Sequence, residues 1–160
     1  MVSEVTFNEH STSSSSSIVA TNLNLGSVNL ANLNTSLYPI VAGSYSFDKY
    51  FKLNFGGTFT SISDVIFYKS DGDYVTGEVL NYTGQVTTWV TPTGLVSGNA
   101  TTAIPTSLPA SANVSIGGSL SGSLTAVGTT DFIVLQGSYT PNTSSGGVNE
   151  KTMSFAWTET

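Results

Sequence analysis

Apolar and polar positions alternate along much of this chain, as they do in β-strands that bury one face. The alternation is clearest in residues 51–55 and 153–157, where every second side chain is large and apolar. Residues 131–139 (DFIVLQGSY) instead form an apolar run with the length of a fully buried strand. The side chains expected to face a core from the two alternating segments are Phe51, Leu53, Phe55, Met153, Phe155 and Trp157.

Other segments carry weaker strand signals. The Leu–Asn alternation in residues 18–34 predicts two short strands or one strand with a bulge. Residues 65–69 and 74–82 flank Asp71–Gly72, and an Asp-Gly pair between two such runs predicts a β-hairpin. Residues 86–90 (VTTWV) predict a further strand.

Residues 91–112 differ in composition from the strand-like segments, with prolines at 92, 105 and 109. Proline cannot donate a hydrogen bond to a sheet, so this stretch cannot be a central strand. It is expected to be a long, extended loop, and loops of this length are usually functional or held by a neighbour. A polar, glycine-rich turn is expected over residues 141–149, before the final strand.

Roughly nine to eleven short strands separated by turns predict an all-β protein, an antiparallel β-sandwich that is jelly-roll-like. The predicted domain covers residues 18–160. Residues 1–17 (MVSEVTFNEHSTSSSSS) form a polar extended N-terminal arm, in which the run Ser13–Ser17 cannot bury apolar area. We expect this arm to be disordered alone and to be held by a partner subunit.

Composition narrows the functional classes. The chain of 160 residues has no Cys, and charged residues make up 9%, against about 25% in typical domains. Its polar surface must therefore consist of hydroxyl and amide groups, which suits large contacts with proteins or sugars. Four Lys and no Arg, within a net charge of −6, argue against binding to nucleic acid or to an anionic membrane.

Targeting signals are also lacking. No apolar run approaches the roughly 20 residues needed to span a bilayer. Residues 1–17 have neither a basic region nor an apolar core of the Sec type, so synthesis in a cytosol without export by that route is expected.

Two groups of residues suggest chemistry only weakly. Asp64, Asp71 and Asp73 carry oxygens that calcium prefers, but the EF-hand spacing is absent and a solvated turn is favoured. His10 lies in the polar arm without a G-x-S-x-G motif elsewhere, so it is expected to be a surface histidine.

Paired carboxylates are the remaining catalytic possibility. Asp48 with Glu78, or Asp131 with Glu150, would have to lie roughly 5–10 Å apart to act as a glycosidase pair. With ten acidic residues, some pair falls near that separation by chance. We therefore expect no catalytic residue, no metal and no cofactor, and a protein that is not an enzyme.

The two tryptophans are candidates for stacking on sugar rings. Trp157 shares its face with Met153 and Phe155, which favours a core position. Trp89 shares its face with Thr87 and is the better ligand candidate, although a core or subunit-interface role is favoured for it too.

Three segments together resemble small virion proteins of tailed bacteriophages, of the head decoration (cement) type. They are residues 61–79 (SISDVIFYKSDGDYVTGEV), residues 91–120 (TPTGLVSGNATTAIPTSLPASANVSIGGSL) and residues 151–160 (KTMSFAWTET). The resemblance covers residues 45–160 and consists of a similar amino-acid composition and a similar order of segments. It implies a β-sandwich, made in the host cytoplasm, that binds the outside of a major capsid protein lattice, often as trimers.

The leading hypothesis is therefore a capsid decoration protein whose arm and loop contact neighbouring subunits. Removal of residues 1–17 is expected to weaken attachment while leaving the fold intact. The alternative is a carbohydrate-binding or adhesin-like β-sandwich of a fibre, tail or cell surface, with Trp89 exposed. The expected subunit contacts are Ser13, Ser14, Ser15, Ser16, Ser17, Pro92, Leu95, Ile104, Pro105, Leu108 and Pro109.

Overall fold

A computed structural model describes residues 2–144 and 149–160, and it confirms an all-β antiparallel sandwich. Within these ranges there is no helix, and so none that could cross a membrane. The strands are β1 (Val2–His10), β2 (Ile18–Val19), β3 (Lys49–Thr58), β4 (Ile62–Asp71), β5 (Glu78–Val86), β6 (Thr102–Ala103), β7 (Gly128–Thr129), β8 (Phe132–Tyr139) and β9 (Thr152–Glu159).

Seven strands form the larger sheet, in the order β2-β1-β3-β8-β5-β6, with β7 also paired to β3. β3 lies inside this sheet, because β1 pairs with one of its edges from Val2↔Thr58 to His10↔Tyr50 and β8 pairs with the other. β8 also lies inside the sheet, paired with both β3 and β5. Every ladder between named strands is antiparallel.

The smaller sheet contains β4 and β9, and the main core lies between the two sheets. Phe51, Leu53 and Phe55 of β3 are buried there, as their alternation predicts. The rings of Phe67 in β4 and Phe155 in β9 stack with centroids 4.9 Å apart. Met153 and Trp157 are partly buried against the same core, so the predicted apolar face of β9 is confirmed.

A second, smaller core covers the outer face of the larger sheet. Tyr50, Phe132 and Val134 are buried there with Val86 and Ala100, because side chains of successive strand residues point to opposite faces. Residues 87–100 lie over this cluster and bring Trp89 against it. The larger sheet is therefore covered on both faces, by β4–β9 on one side and by a loop on the other.

The prediction of a disordered arm is wrong for residues 2–10. Val2–His10 forms a strand along the length of β3, and Val5 and Phe7 pack against the main core. Deletion of residues 1–17 would therefore remove a strand of the sheet, so the fold is not expected to stay intact without them. Of the proposed arm, residues 11–17 are a polar connection between β1 and β2.

Three further strand predictions need correction. Residues 22–34 are irregular, because asparagine amides bond to backbone carbonyls there, as Asn24 Nδ2 does to Leu33 at 2.8 Å. The segments around Asp71–Gly72 do not form a hairpin, since β4 and β5 lie in different sheets. Residues 87–90 are not a strand, and β5 ends at Val86 after a register shift.

Two expectations remain open. The predicted turn over residues 141–149 falls partly on residues 145–148, which lie outside the described residues. The jelly-roll topology stays a prediction, because the observed strand order establishes an antiparallel sandwich and does not test the finer topology.

Candidate interaction surface

The loop over the outer face is fixed to the sheet by the carboxylate of Asp48. This buried side chain accepts a hydrogen bond from the Thr93 backbone N–H at 3.0 Å and one from the Ser97 hydroxyl at 2.9 Å. The Asp48 N–H donates in turn to the Thr93 carbonyl. Charge-assisted bonds of this kind are strong, so the loop is held in one conformation at this point.

Gln136 of β8 makes a second attachment. Its Oε1 accepts from the Ser97 N–H at 2.8 Å, and its Nε2 donates to the carbonyls of Ser46 and Leu95 at 2.8 and 2.7 Å. The side chain is buried, so these bonds form where water does not compete for them. The backbone at Leu95 is thereby fixed, while its side chain is 72% exposed.

Four exposed apolar side chains surround the Gln136–Ser138 stretch of β8. Tyr45 forms a bridge with Ser138 from one side, and Val79 pairs with Ser138 from the other. Leu95 and Val96 lie beside Gln136 through the bond just described. Tyr45, Val79, Leu95 and Val96 are all exposed, and we call this group the outer-face patch.

The predicted subunit contacts fall into different environments. Leu95 and Leu108 are exposed and remain available for contact, whereas Ile104 is 4% exposed and belongs to the main core. The prediction for Ile104 is therefore wrong: its N–H bonds to the Leu80 carbonyl, which carries the loop into the sandwich. Pro92 is buried, and Pro105 and Pro109 are partly buried.

The serine run makes local contacts only. The Ser16 N–H donates to the Ser13 hydroxyl at 2.9 Å, and Asn8 Nδ2 donates to the Ser17 hydroxyl at 3.3 Å. Ser14 and Ser15 are exposed. These residues form a polar turn beside β1, and their role as subunit contacts stays a prediction.

Trp89 is half-buried instead of lying open on a flat face. Its Nε1–H donates to the His10 carbonyl at 3.4 Å, and its ring lies 6.3 Å from that of Tyr50. Among the described residues Tyr45 is the one aromatic side chain that is exposed. The coplanar exposed aromatics that a sugar-binding face needs are not formed around Trp89.

His10 is buried, which corrects the expectation of a surface histidine. Its side chain is 7% exposed, packs edge-on against Phe132, and leaves Nδ1 without a hydrogen-bond partner. The pKa of His10 is lowered from its ordinary value, mainly by burial; the charge of Lys52 lowers it as well, and backbone groups of Ser13 and Ser14 oppose the shift without reversing it. Burial therefore favours the neutral imidazole.

The carboxylates proposed as catalytic pairs belong to separate structural networks. Glu78 is buried, forms an ion pair with Lys151 at 2.8 Å and accepts the Val75 N–H. Burial raises the pKa of Tyr139, and the neighbouring charge of Glu78 raises it further. Asp48 holds the loop instead, as described above.

Asp131 and Glu150, the other proposed pair, also have different environments. Asp131 accepts bonds from the Ser115 hydroxyl at 2.5 Å and the Gly118 N–H at 2.7 Å, and so fixes a glycine turn. Glu150 is exposed.

The acidic turn residues do not converge on a cation position. Asp64, Asp71 and Asp73 are all exposed, and one Asp71 oxygen accepts the Gly72 N–H at 2.8 Å. Over residues 2–144 and 149–160 there is no group of three or more acidic or histidine side chains placed to hold a metal ion.

A cleft of about 1270 Å³ opens between β9 and the irregular segment over residues 21–40. Apolar side chains that line it include Phe7, Leu23, Met153 and Phe155. Charged residues that line it include Glu78, Glu150 and Lys151. The ionisable groups there are already engaged in the Glu78–Lys151 pair or are exposed.

Comparisons of the chain with protein-family models, with curated proteins and with solved structures found no match. The class of protein that the fold and surface define is therefore an antiparallel β-sandwich with fixed loops and an exposed apolar patch.

Sequence reasoning identified Leu95 but missed Tyr45, Val79 and Val96. For Val79 a signal was present, because it alternates with the inward-facing Leu80 and so falls on the outer face. Tyr45 and Val96 carry no such signal, since they lie outside regular strands and their placement depends on bonds to β8.

Proposed function

We propose that this protein is a capsid decoration protein that binds the outside of a lattice of major capsid protein and stabilises it. The observation that carries the proposal is the outer-face patch, in which exposed apolar side chains stand on a backbone fixed by Asp48 and Gln136. The resemblance of residues 45–160 to head decoration proteins supplies the identity of the partner.

A fixed apolar surface suits binding more than a mobile one does. Association costs about 0.5–1.5 kcal/mol for each flexible side chain that becomes ordered, and loop ordering adds to this. The loop that carries Leu95 and Val96 is already ordered by buried hydrogen bonds. Its exposed side chains can therefore be covered by a partner with little further loss of backbone entropy.

The low charge of the surface supports the same function. Charged groups are expensive to remove from water, whereas hydroxyl and amide groups find new hydrogen-bond partners at an interface. Two of the four lysines, Lys49 and Lys151, are buried in ion pairs. A lattice-binding protein that presents few charges loses little hydration energy when its face is covered.

Stabilisation of the lattice follows from mass action. A ligand that binds the assembled lattice and not its free subunits shifts the equilibrium toward assembly by RT ln(1 + [L]/Kd) per site. Many weak sites on one particle therefore add to a large effect. No chemistry at the binding surface is required for this function.

The alternative, a sugar-binding module, is less well supported. Such a module places aromatic rings where a sugar ring can lie against them. Trp89 instead packs against the second, smaller core on the outer face of the larger sheet. Tyr45 alone does not form a stacking platform.

Co-sedimentation with capsid shells tests the proposal. Purified protein is mixed with shells assembled from the major capsid protein of the virus that encodes it, and the pelleted fraction is measured. We expect Val96→Glu to reduce binding at least tenfold, because it places a charge in the outer-face patch. The matched control is Val127→Glu: both valines are 68% exposed, and Val127 lies outside the patch.

Two results would count against the proposal. One is a wild-type protein that does not pellet with shells at any concentration. The other is binding that Val96→Glu leaves as strong as Val127→Glu does, since the patch would then not be the contact surface.

A further inference from the structure

The outer edge of β9 is open. β9 pairs with β4 along one edge, and no backbone group in residues 2–144 or 149–160 pairs with its other edge between Met153 and Thr158. The sheet that contains it therefore has two strands. Two-stranded sheets are marginal by themselves and gain stability when a strand is added.

The other edge of this small sheet, formed by β4, is covered by other segments of the same chain. The Lys69 N–H of β4 donates to the Pro105 carbonyl at 2.8 Å. Ile62 and Leu124 exchange two backbone bonds of 2.9 Å, and the Asn113 side chain bonds to Phe67 between them. The long loop thus covers the outer edge of β4, whereas among residues 2–144 and 149–160 no such backbone contact covers the outer edge of β9.

The part of β1 that β2 does not cover, which forms an edge of the larger sheet, is also protected. The Ser3 N–H of β1 donates to a Glu159 carboxylate oxygen at 3.0 Å, and the adjacent Glu4 is exposed and charged. Charged residues and prolines are the usual means of preventing an edge from pairing with another chain. Between Thr152 and Thr158, β9 has neither.

Apolar surface remains open beside the same edge. Met153, Phe155 and Trp157 face the main core but are only partly buried. Met153 and Phe155 line the 1270 Å³ cleft together with Phe7 and Leu23 of the facing elements. A strand added to β9 would cover part of this surface as well as satisfy the edge hydrogen bonds.

We propose that β9 pairs antiparallel with β9 of a second copy of this chain, which joins two β4–β9 sheets into one four-stranded sheet across a two-fold axis. Two identical strands that meet about such an axis form a closed, self-complementary contact. Because residues 152–158 carry no charge, no like charges face each other across the pair.

The side chains of β9 fit this arrangement. Residues 153, 155 and 157 face the core, so residues 154 and 156 point to the opposite, outward face. These outward residues are Ser154 and Ala156, so the outward face of a joined sheet would carry small, uncharged side chains at the contact. The inference rests on the edge of β9 alone, and does not depend on the proposed function.

Sedimentation velocity of the isolated protein over a range of concentrations tests the pairing. The wild type is expected to show a dimer fraction that rises with concentration, and Ala156→Lys should reduce it at least tenfold, since two like charges would meet across the axis. The matched control is Gln85→Lys, an equal charge change at an exposed position of β5 in the other sheet.

Cysteine crosslinking locates the contact. The chain has no Cys, so Ser154→Cys and Ala156→Cys each introduce a single thiol on the outward face of β9. At least one should form a disulfide-linked dimer several-fold faster than Gln85→Cys under mild oxidation. Far-UV circular dichroism of each variant verifies that it folds. If Ala156→Lys does not fold, crosslinking of the Ser154→Cys and Ala156→Cys variants tests the β9–β9 contact.

A wild type that sediments as a monomer at every concentration would overturn the inference. So would a trimer, or a dimer that crosslinks no faster at positions 154 and 156 than at position 85. These measurements contain no capsid shells, so their failure is separate from a failure of the decoration proposal.

Discussion

Asn113 bonds to the backbone of Phe67 as a neighbouring strand would: its Oδ1 accepts from the Phe67 N–H at 2.7 Å, and its Nδ2 donates to the Phe67 carbonyl at 2.8 Å. The same Nδ2 donates to the Tyr82 hydroxyl at 2.7 Å. One amide thus closes the edge of β4 in the smaller sheet and reaches β5 in the larger one.

Asn113→Ala is expected to lower the free energy of unfolding by about 2–4 kcal/mol. The substitution leaves the N–H and the carbonyl of the buried Phe67 without partners, and each such group costs about 1–3 kcal/mol. Urea denaturation of the wild type, Asn113→Ala and the exposed control Asn22→Ala measures the difference. A loss no larger for Asn113→Ala than for Asn22→Ala would show that the amide does not support the edge.

The ion pair between Glu9 and Lys49 joins β1 to β3 at the end of the core. The Lys49 Nζ lies 2.8 Å from Glu9 Oε1, with both side chains 2% exposed or less, and it also donates to the Leu30 carbonyl. The Asn32 N–H, in a left-handed conformation with φ 51°, donates to the other Glu9 oxygen. The pair thus fixes the irregular segment that covers this end.

Lys49→Met is expected to destabilise the fold by about 3–5 kcal/mol, because it leaves the Glu9 carboxylate buried without a counter-charge. The double variant Glu9→Leu/Lys49→Met should recover much of that loss, since no unpaired charge remains. Chemical denaturation of the two single variants and the double variant forms the cycle. A double variant less stable than Lys49→Met would mean that the pair itself is net stabilising.

His10 predicts a pH dependence of stability below neutrality. Burial lowers its pKa below the ordinary value of 6.5, so below pH 6.5 the unfolded chain binds a proton there that the folded chain does not. Stability should therefore fall as pH falls from 6.5 to the folded-state pKa, and His10 should add no pH dependence above that window.

Denaturation midpoints between pH 5 and pH 8 measure this effect. His10→Asn removes the titrating group, and His10 is the sole histidine of the chain, so the slope between pH 6.5 and the folded-state pKa should be reduced in the variant. Equal slopes in the wild type and His10→Asn would show that His10 is free to protonate in the folded protein.

Gly84 marks a close approach between β5 and residues 113–115. A Cβ at this position would lie 2.2 Å from the Asn113 carbonyl oxygen, a backbone atom that cannot move aside alone. Gly84→Ala is therefore expected to cost about 1–3 kcal/mol or more, in the range of strained core substitutions. Thermal denaturation provides the measurement.

Gly98 is the control for that substitution. It lies in the loop over the outer face, with nothing within 4 Å of the position that a Cβ would take and without a positive φ. Gly98→Ala should therefore be neutral or stabilising by up to about 1 kcal/mol, because alanine has less freedom in the unfolded chain. If both alanine variants unfold at the same temperature, the close contact at Gly84 is not a constraint.

The strands with regular alternation or apolar runs were predictable from sequence. β8 and β9 lie where residues 131–139 and 153–157 indicated, because burial of a whole strand face leaves a local pattern. β1 was missed because its two most buried residues are Glu9 and His10. Their burial depends on Lys49 and Phe132, which are distant in the sequence.

The interaction surface was predictable only in part. Leu95 was identified because it lies in a proline-rich loop, but the same reasoning selected Ile104, which is in the core. A loop that passes from one sheet to the other places some residues inside and others outside. Which residue goes where is decided by single bonds, such as that from Ile104 N–H to the Leu80 carbonyl, and these leave no sequence pattern.

As a decoration protein, this chain would cover part of a capsid lattice with its outer-face patch. Cryo-electron microscopy of shells saturated with the purified protein provides the decisive test. We expect sandwich-shaped density at regular positions on the shell exterior, with Tyr45, Val79, Leu95 and Val96 against the major capsid protein. Shells that carry no added density, or density in which this patch faces solvent, would contradict it.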